Sequence, residues 1–389
     1  MDYTKAGWST KIRKALRYVR LYGPSRTLAK VRAQYHMNRH FTDLPQLKPA
    51  SGVQQHVGVM GCGNFSFSAV AYYLKKNFGY VIRGTMDRNV ERAASLAREY
   101  RAAYYTDDPR RIIDDPEIDM VFIASNHATH AEYAIEALKQ GKSVHIEKPH
   151  VVTEDQLDRL CAAASESTGR VTLGFNRPLG KLGREIKKVL DAQQGPAVMN
   201  WFVAGHAIDP DHWYFHPDEG GRVLGNLCHW TDFIYQMVPP ENRYPIKITP
   251  TRWEKSDCDI AVTYLFGDGT VAAITFSAKG HTFEGVRERF SAHRGDVLIS
   301  LDDFKTLIIE VVEDKRTIKL PYRDHGHEEA IVRSYAAGLP DGESKGSAVS
   351  YLWETGQLFL KTREALEANR PLMVYPYGSD PALSRQVAG

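Results

Sequence analysis

The segment Gly61-Cys62-Gly63-Asn64-Phe65-Ser66 and the aspartate at 87 are residue types whose spacing implies chemistry. A glycine at 61 permits a tight turn, and Gly63 lets backbone N–H groups approach a pyrophosphate at the positive end of a helix dipole. Ser66 stands where a third glycine is usual, and it is small enough for close helix–strand packing. Asp87 closes the next strand 26 residues after Gly61. Its carboxylate would accept hydrogen bonds from adenosine ribose hydroxyls and repel a 2′-phosphate. Cys62, Asn64 and Phe65 complete the turn. Arg88 follows Asp87, where a guanidinium can also hold a phosphate. The pattern implies a bound dinucleotide, NAD in preference to NADP.

These residues require a particular frame. His56–Met60 reads as a strand, the glycine turn opens a helix ending near Phe78, and Tyr80–Met86 is a second strand. Helix 89–100 carries Val90, Ala93, Ala94 and Ala97 on one face. Asp119–Ala124 and Lys142–Ile146 are further strands around a helix at 129–140. Strands alternating with helices at this spacing imply an α/β Rossmann domain with a doubly wound parallel sheet. Beyond about residue 170 the texture becomes β-rich: Ala197–Ala204, Ile260–Phe266, Thr270–Ser277, Val297–Leu301 and Thr306–Val312. That implies an α+β domain with a large open antiparallel sheet. A last amphipathic helix is expected at 347–368.

At 389 residues two domains are the natural expectation. The first 50 residues hold eleven Lys/Arg against Asp2 and Asp43, a charge of +9 that leaves −6 for the remainder of a chain of net +3. This basic N-terminal arm reads as two short helices: one capped by Ser9 or Thr10 with Ile12, Leu16 and Val19 on one face, then a Gly23-Pro24 break, then one marked by Leu28, Val31 and Tyr35. The division expected is 1–50 arm, 51–175 dinucleotide domain and 176–389 substrate domain. No apolar run suits a spanning helix, and no secretory leader is expected. Cys62, Cys161, Cys228 and Cys258 are too scattered for zinc, and His206, His212, His216 and His281 lack a metal pattern, so no metal is expected and a reducing cytoplasm is.

Four further motifs resemble one family. Glu147-Lys148-Pro149, after Gly141-Lys142, resembles the Glu-Lys-Pro signature of the glucose–fructose oxidoreductase/inositol dehydrogenase/rhizopine-catabolism (Gfo/Idh/MocA) superfamily. Ser125-Asn126-His127-Ala128-Thr129-His130 resembles its loop along the nicotinamide half of the cofactor. Gly174-Phe175-Asn176-Arg177 resembles the start of its second domain, and residues 220–232, ending Cys228-His229-Trp230-Thr231-Asp232, resemble its catalytic-histidine motif. The resemblance implies cofactor contacts from Ser125, Asn126, His130, Glu147 and Lys148, and a redox reaction on a carbohydrate.

Oxidising a secondary alcohol means removing the hydroxyl proton while a hydride leaves carbon. A free lysine titrates near 10.4, about three units too high for a base at neutral pH, whereas histidine starts near 6.5. His229 is therefore expected as the principal acid/base and Lys148 as its hydrogen-bonding or proton-sharing partner. In related sequences an Asp or Glu stands three or four residues before this histidine; here those positions are Asn226 and Gly225. An amide orients a hydroxyl but cannot share protons. That departure keeps open a redox-neutral epimerase or glycosidase using transient oxidation, and a non-catalytic regulatory binder.

Asn176, Arg177, Trp213, Arg222, Asn226 and Asp232 are expected to bind substrate. Trp213 suits stacking on a sugar face, and Arg177 or Arg222 an anionic group, which fits a sugar, sugar acid or nucleotide sugar. The arm can embrace another subunit of a homo-oligomer (dimer or tetramer), lie on an anionic membrane, or form a solvated surface. Nucleic acid is not expected as a partner.

Overall fold

The computed structural model describes residues 7–253, 258–339 and 346–379. They divide into two compact units. The first comprises the chain to Val151, Asp155–Gly174 and His327–Val349; the second comprises Val152–Glu154, Phe175–Gly326 and the chain from Ser350.

The first unit begins with α1 (Trp8–Tyr22) and α2 (Pro24–Met37). No side chain caps α1: Gly7 precedes it, and the helix starts ahead of the expected Ser9 or Thr10. Gly23 turns the chain at φ 79°, and Pro24 opens α2, where a missing N–H costs nothing. The sheet and its helices follow as β1 (Val57–Met60), α3 (Ala71–Phe78), β2 (Ile82–Met86), α4 (Val90–Glu99), β3 (Tyr104–Thr106), α5 (Arg110–Ile113), β4 (Met120–Ile123), α6 (His127–Lys139), β5 (Ser143–Ile146), α7 (Glu154–Glu166) and β6 (Val171–Leu173). The strands are all parallel, in the order β3-β2-β1-β4-β5-β6. The order reverses between β1 and β4, so the crevice for a ligand opens beyond the carboxyl ends of those strands. β1, β4 and β5 are buried along their whole length, as both faces of the sheet are covered.

The arm packs on this unit. Ala29, Ala33 and His36, spaced i, i+4, i+7, form the buried face of α2, and Ala33 belongs to the same apolar core as Val57, Val59 and Phe67. Arg32 pairs with Glu99 at 3.0 Å, His40 with Glu91 at 3.0 Å, and Ser25 bonds Tyr72 at 2.6 Å.

The second unit is built from α8 (Lys181–Asp191), β7 (Ala197–Ala204), α9 (Cys228–Met237), β8 (Ile246–Trp253), β9 (Asp259–Leu265), β10 (Val271–Ser277), β11 (Arg287–Arg294), β12 (Val297–Asp302), β13 (Thr306–Val311) and β14 (Asp314–Lys319). The chain then supplies α10 (His327–Gly338) to the first unit, and α11 (Val349–Ala368) and β15 (Leu372–Val374) to the second. The nine strands run β14-β13-β12-β11-β7-β10-β9-β8-β15. They are antiparallel except for β7 beside β10, which is parallel. β7 alternates buried and exposed positions: Met199, Trp201 and Val203 face the core. β8, β11 and β14 carry no clean apolar alternation. Pro250 sits at a register shift in β8, Glu288 and Arg294 take inward positions in β11, and β14 is almost wholly polar at the sheet edge.

Replacing Ala33 with Leu overfills the seat of α2 and should cost about 1–3 kcal/mol. The melting temperature should fall by several degrees; an unchanged value would show that α2 is not seated there.

Candidate cofactor and acid–base sites

In the first unit the glycine turn is held from three sides. Gly61 has φ 87°, and a Cβ there would lie 2.4 Å from the Ser125 nitrogen, so only glycine permits this approach. The Cys62 N–H donates to Asp87 Oδ2 at 2.7 Å, and the Asn89 N–H donates to Oδ1 at 2.9 Å. Asn89 in turn caps α4 by accepting from the N–H groups of Glu91 and Arg92. From the arm, His36 Nε2 lies 2.7 Å from the Cys62 carbonyl oxygen, its Nδ1 2.9 Å from Ser95 Oγ, and its ring stacks on Phe67 at 4.3 Å. Burial lowers the His36 pKa, which favours the neutral ring.

Beyond the turn the chain enters α3 through a π-helical turn, Ser66–Val70. Ser66 is fully buried and its hydroxyl donates to the Gly61 carbonyl, the close packing expected of that position. Nothing lies within 4 Å of a Cβ built on Gly63. A turn with open space at Gly63, a helix beginning behind it and a carboxylate at the next strand end fits a dinucleotide. Asn64 and Phe65 are half-buried at the mouth of this turn, and Arg88 is exposed.

β4 and β5 bring two more loops to the same edge, since Met60 pairs with Ile123 and Ile123 with Ile146. Ser125 Oγ meets Thr129 Oγ1 at 2.7 Å, and the Thr129 hydroxyl also lies 2.9 Å from Asn126 Oδ1, fixing the start of α6. Lys148 is half-buried and precedes a cis Pro149.

Two expected cofactor contacts are turned inward. His130 is buried, with Nδ1 2.8 Å from the Pro149 carbonyl and Nε2 3.1 Å from that of Ser125. Burial lowers its pKa against the pull of the two carbonyls, one facing each ring nitrogen. It ties the Ser125 loop to the Lys148 loop and acts through position. Glu147 is likewise buried beside His145 at 3.2 Å, itself 2.8 Å from Ser334 Oγ. A Cβ on Gly174 would fall 2.7 Å from the Glu147 carboxyl, so the glycine makes room for it.

In the second unit another π-helical turn, Val223–Leu227, leads into α9 and His229. Such turns recur at functional sites because the extra residue re-aims side chains. Asn226, one helical turn before His229, has a buried Oδ1 with no hydrogen-bond partner among the described residues. An acceptor left so costs about 1–3 kcal/mol unless a ligand donor satisfies it. The His229 ring is largely buried, with Phe175 edge-on at 6.4 Å.

The remaining expected substrate contacts divide. Trp213 is exposed and lies edge-on to Tyr214 at 4.6 Å. Arg222 is buried, donates to the His206 carbonyl and lies over the Phe276 ring at 5.5 Å. Arg177 does not meet solvent as a free anion-binding group: Nε donates to Glu288 Oε1 at 2.6 Å, and its guanidinium stacks on Trp230 at 5.2 Å. The Trp230 indole N–H donates to the same oxygen at 2.7 Å, and His325 lies 3.0 Å from Glu288 Oε2. Burial alone would raise the Glu288 carboxyl, but Arg177 and His325 overcome it and hold it well below the usual carboxylate range. Asn176 is buried and spends its amide on the His325 carbonyl at 2.6 Å. Asp232 is buried too, bonded by Tyr351 at 2.6 Å and by Gln236 at 2.9 Å, so it braces α9 against α11.

His36 and Glu288 were missed in the sequence. The signal for His36 was a polar residue in register with Ala29 and Ala33. Glu288 carried none, because its partners come from residues 177, 230 and 325. Among the described residues no group of histidine, cysteine or acidic side chains is arranged for a metal.

Burial pushes the Asp232 carboxyl up to about 7, against the pull of Tyr351 and Gln236. The folded group then stays protonated while the unfolded one ionises near about 3.9, so stability should fall as pH rises from about 4 to about 7 and level off above. Asp232→Asn should flatten that slope in thermal melts across this range; an unchanged slope would place its origin elsewhere.

Residues 55–175 match the family described as an oxidoreductase family with an NAD-binding Rossmann fold. The chain is 34% identical over 200 residues to inositol 2-dehydrogenase 2 of Saccharopolyspora erythraea, covering 51% of this chain and 58% of that one. It is 25% identical over 236 residues to scyllo-inositol 2-dehydrogenase (NAD(+)) of Bacillus subtilis, covering 57% and 68%. The chain thus spans little more than half the length of the first of these relatives. Levoglucosan dehydrogenase, solved with NADH and levoglucosan, shares the fold at a TM-score of 0.70 and 20% identity, over 82% of this chain and 99% of that one. Residues 55–175, with the glycine turn, its aspartate and the loops at 125 and 147, are thus similar to the NAD-binding Rossmann fold of this oxidoreductase family, and a Rossmann sheet accompanied by a large mainly antiparallel one is the fold shared with levoglucosan dehydrogenase.

Proposed function

We propose that the protein is an NAD-dependent oxidoreductase acting on a secondary alcohol of a sugar, sugar acid or nucleotide sugar. The observation that carries this reading is the pairing, one helical turn apart, of a buried unsatisfied amide oxygen on Asn226 with the imidazole of His229. A substrate hydroxyl can donate to the first while another gives its proton to the second. Inositol and levoglucosan, the substrates named for the relatives, are polyols of this kind.

In this reading bound NAD supplies the acceptor for the hydride leaving carbon. The chain's own residues do the rest. Open space at Gly63 admits the pyrophosphate, and Asp87, fixed by two backbone N–H groups, accepts from the ribose hydroxyls. His229 is the acid/base that takes the hydroxyl proton, Lys148 is its partner residue in the reaction, and Trp213 suits stacking on a sugar face. The exposed apolar positions Val198, Phe202 and Leu298 on the outer face of the large sheet support a homo-oligomer. The four free cysteines support a reducing cytoplasm. No helix among the described residues is long and apolar enough to cross a membrane.

Asn226 also keeps a second reading open. An amide cannot share protons as a carboxylate would, which leaves net dehydrogenation without that support and keeps open a redox-neutral cycle, such as epimerisation or elimination, in which the nicotinamide is recycled within one turnover. Stopped-flow absorbance at the NADH band over a panel of sugars separates the two. Accumulating NADH supports net oxidation, product without NADH supports the cycle, and neither, despite tight NAD binding, indicates a regulatory binder.

Lys148→Ala and His229→Ala should each lower turnover by about 10²- to 10⁴-fold and leave NAD affinity within a few fold. Large affinity losses in both would contradict the roles given to them. His36→Phe keeps the stack on Phe67 but loses the bond to the Cys62 carbonyl. It should raise the Kd for NAD several-fold with kcat unchanged; an unaltered Kd would make His36 packing alone.

A further inference from the structure

Helix α1 is seated with its faces reversed. A surface helix ordinarily buries its apolar stripe and turns its charges to water. Here Lys14 is only 7% exposed, whereas Trp8, Ile12 and Leu16 are 79, 55 and 60% exposed. Leu21 and Lys14 form the inward side, with the Lys14 ammonium over the Tyr18 ring at 4.7 Å. Trp8, Ile12, Leu16 and Val19 fall within one narrow stripe at 100° per residue, and Lys11 borders it on one side, Arg20, Arg13 and Arg17 on the other. α2 repeats the pattern: Leu28, Val31 and Tyr35 are exposed on the side away from Ala29 and Ala33. The arm is not loose, since α2 is fixed to the first unit through His36, Arg32 and Ala33. The apolar stripe is therefore presented on a rigid support.

We propose that α1 lies in the surface of an anionic lipid bilayer, with Trp8, Ile12, Leu16 and Val19 among the acyl chains and the flanking cations at the headgroups. Two properties select this occupant. The stripe is narrow and carries a tryptophan at one end, as an interfacial helix requires. The charge around it is +9 within 50 residues, which matches a negatively charged plane and opposes a second copy of the same stripe. This inference is independent of the redox reading and brings whatever reaction the protein performs to a membrane face.

The test is flotation of the full-length protein with vesicles of phosphatidylcholine alone and of phosphatidylcholine with one third phosphatidylglycerol, at low and high salt. Binding is expected to the anionic vesicles only and to weaken with salt. Ile12→Ser combined with Leu16→Ser should lower partitioning roughly tenfold or more. Both positions are solvent-facing, so the variant should keep its melting temperature and NAD binding, which checks that it folds. Equal binding to both vesicle types, absence of binding at low salt, or binding indifferent to the double substitution would each overturn the proposal. So would a wild-type oligomer that the double variant dissociates in the absence of lipid, since a second copy would then cover the stripe.

Discussion

No side chain larger than hydrogen can stand at position 61, because a Cβ there would lie 2.4 Å from the backbone nitrogen of Ser125. That close approach lets the turn after β1 touch the loop after β4. The same turn uses its next residue twice: the Cys62 N–H is held by Asp87 and its carbonyl by His36. The Ser125 loop is in turn tied through His130 to the loop carrying Lys148. One steric vacancy thus sets the relation of three strand ends.

The second unit depends on a buried charge in the same way. Glu288 sits fully buried in β11 and draws Arg177, Trp230 and His325 onto its two oxygens. A carboxylate taken from water is tolerated only with such partners, and losing one would leave the others uncompensated. Trp230 is the neighbour of His229, so this network fixes the first turn of α9, on which the imidazole is mounted. The arginine expected to greet an anionic substrate is consumed in the process. Among the expected substrate residues of this unit, Asn226 differs in keeping a buried amide oxygen without a hydrogen-bond partner among the described residues.

The arm joins structure and function differently from an appendage. Its second helix reaches the glycine turn through one histidine, and its first helix shows the surroundings an apolar stripe that the rest of the unit does not cover. An element that precedes the matched residues 55–175 thereby touches the glycine turn at one end and faces outward at the other.

What could be read in the residues was whatever depends on local spacing. The strands and helices read between 56 and 146, the glycine turn with Asp87, the strand Ala197–Ala204 and the helix ending at 368 follow from periodicity and turn chemistry, which act over a few residues, whereas the short β3 and α5 between them carry too few residues to show a period. The family resemblance rested on short contiguous motifs for the same reason. Tertiary structure alone decided which charges are spent and which remain. Nothing near Arg177 in sequence announces Glu288, 111 positions away. Nothing in the stripe Ile12, Leu16 and Val19 says whether it faces protein or solvent. The strands β8, β11 and β14 escaped notice because their pairing partners, not their own alternation, define them. Burial and long-range pairing belong to the folded chain, so a side chain's type is written in the sequence while its availability is settled only when distant residues arrive beside it.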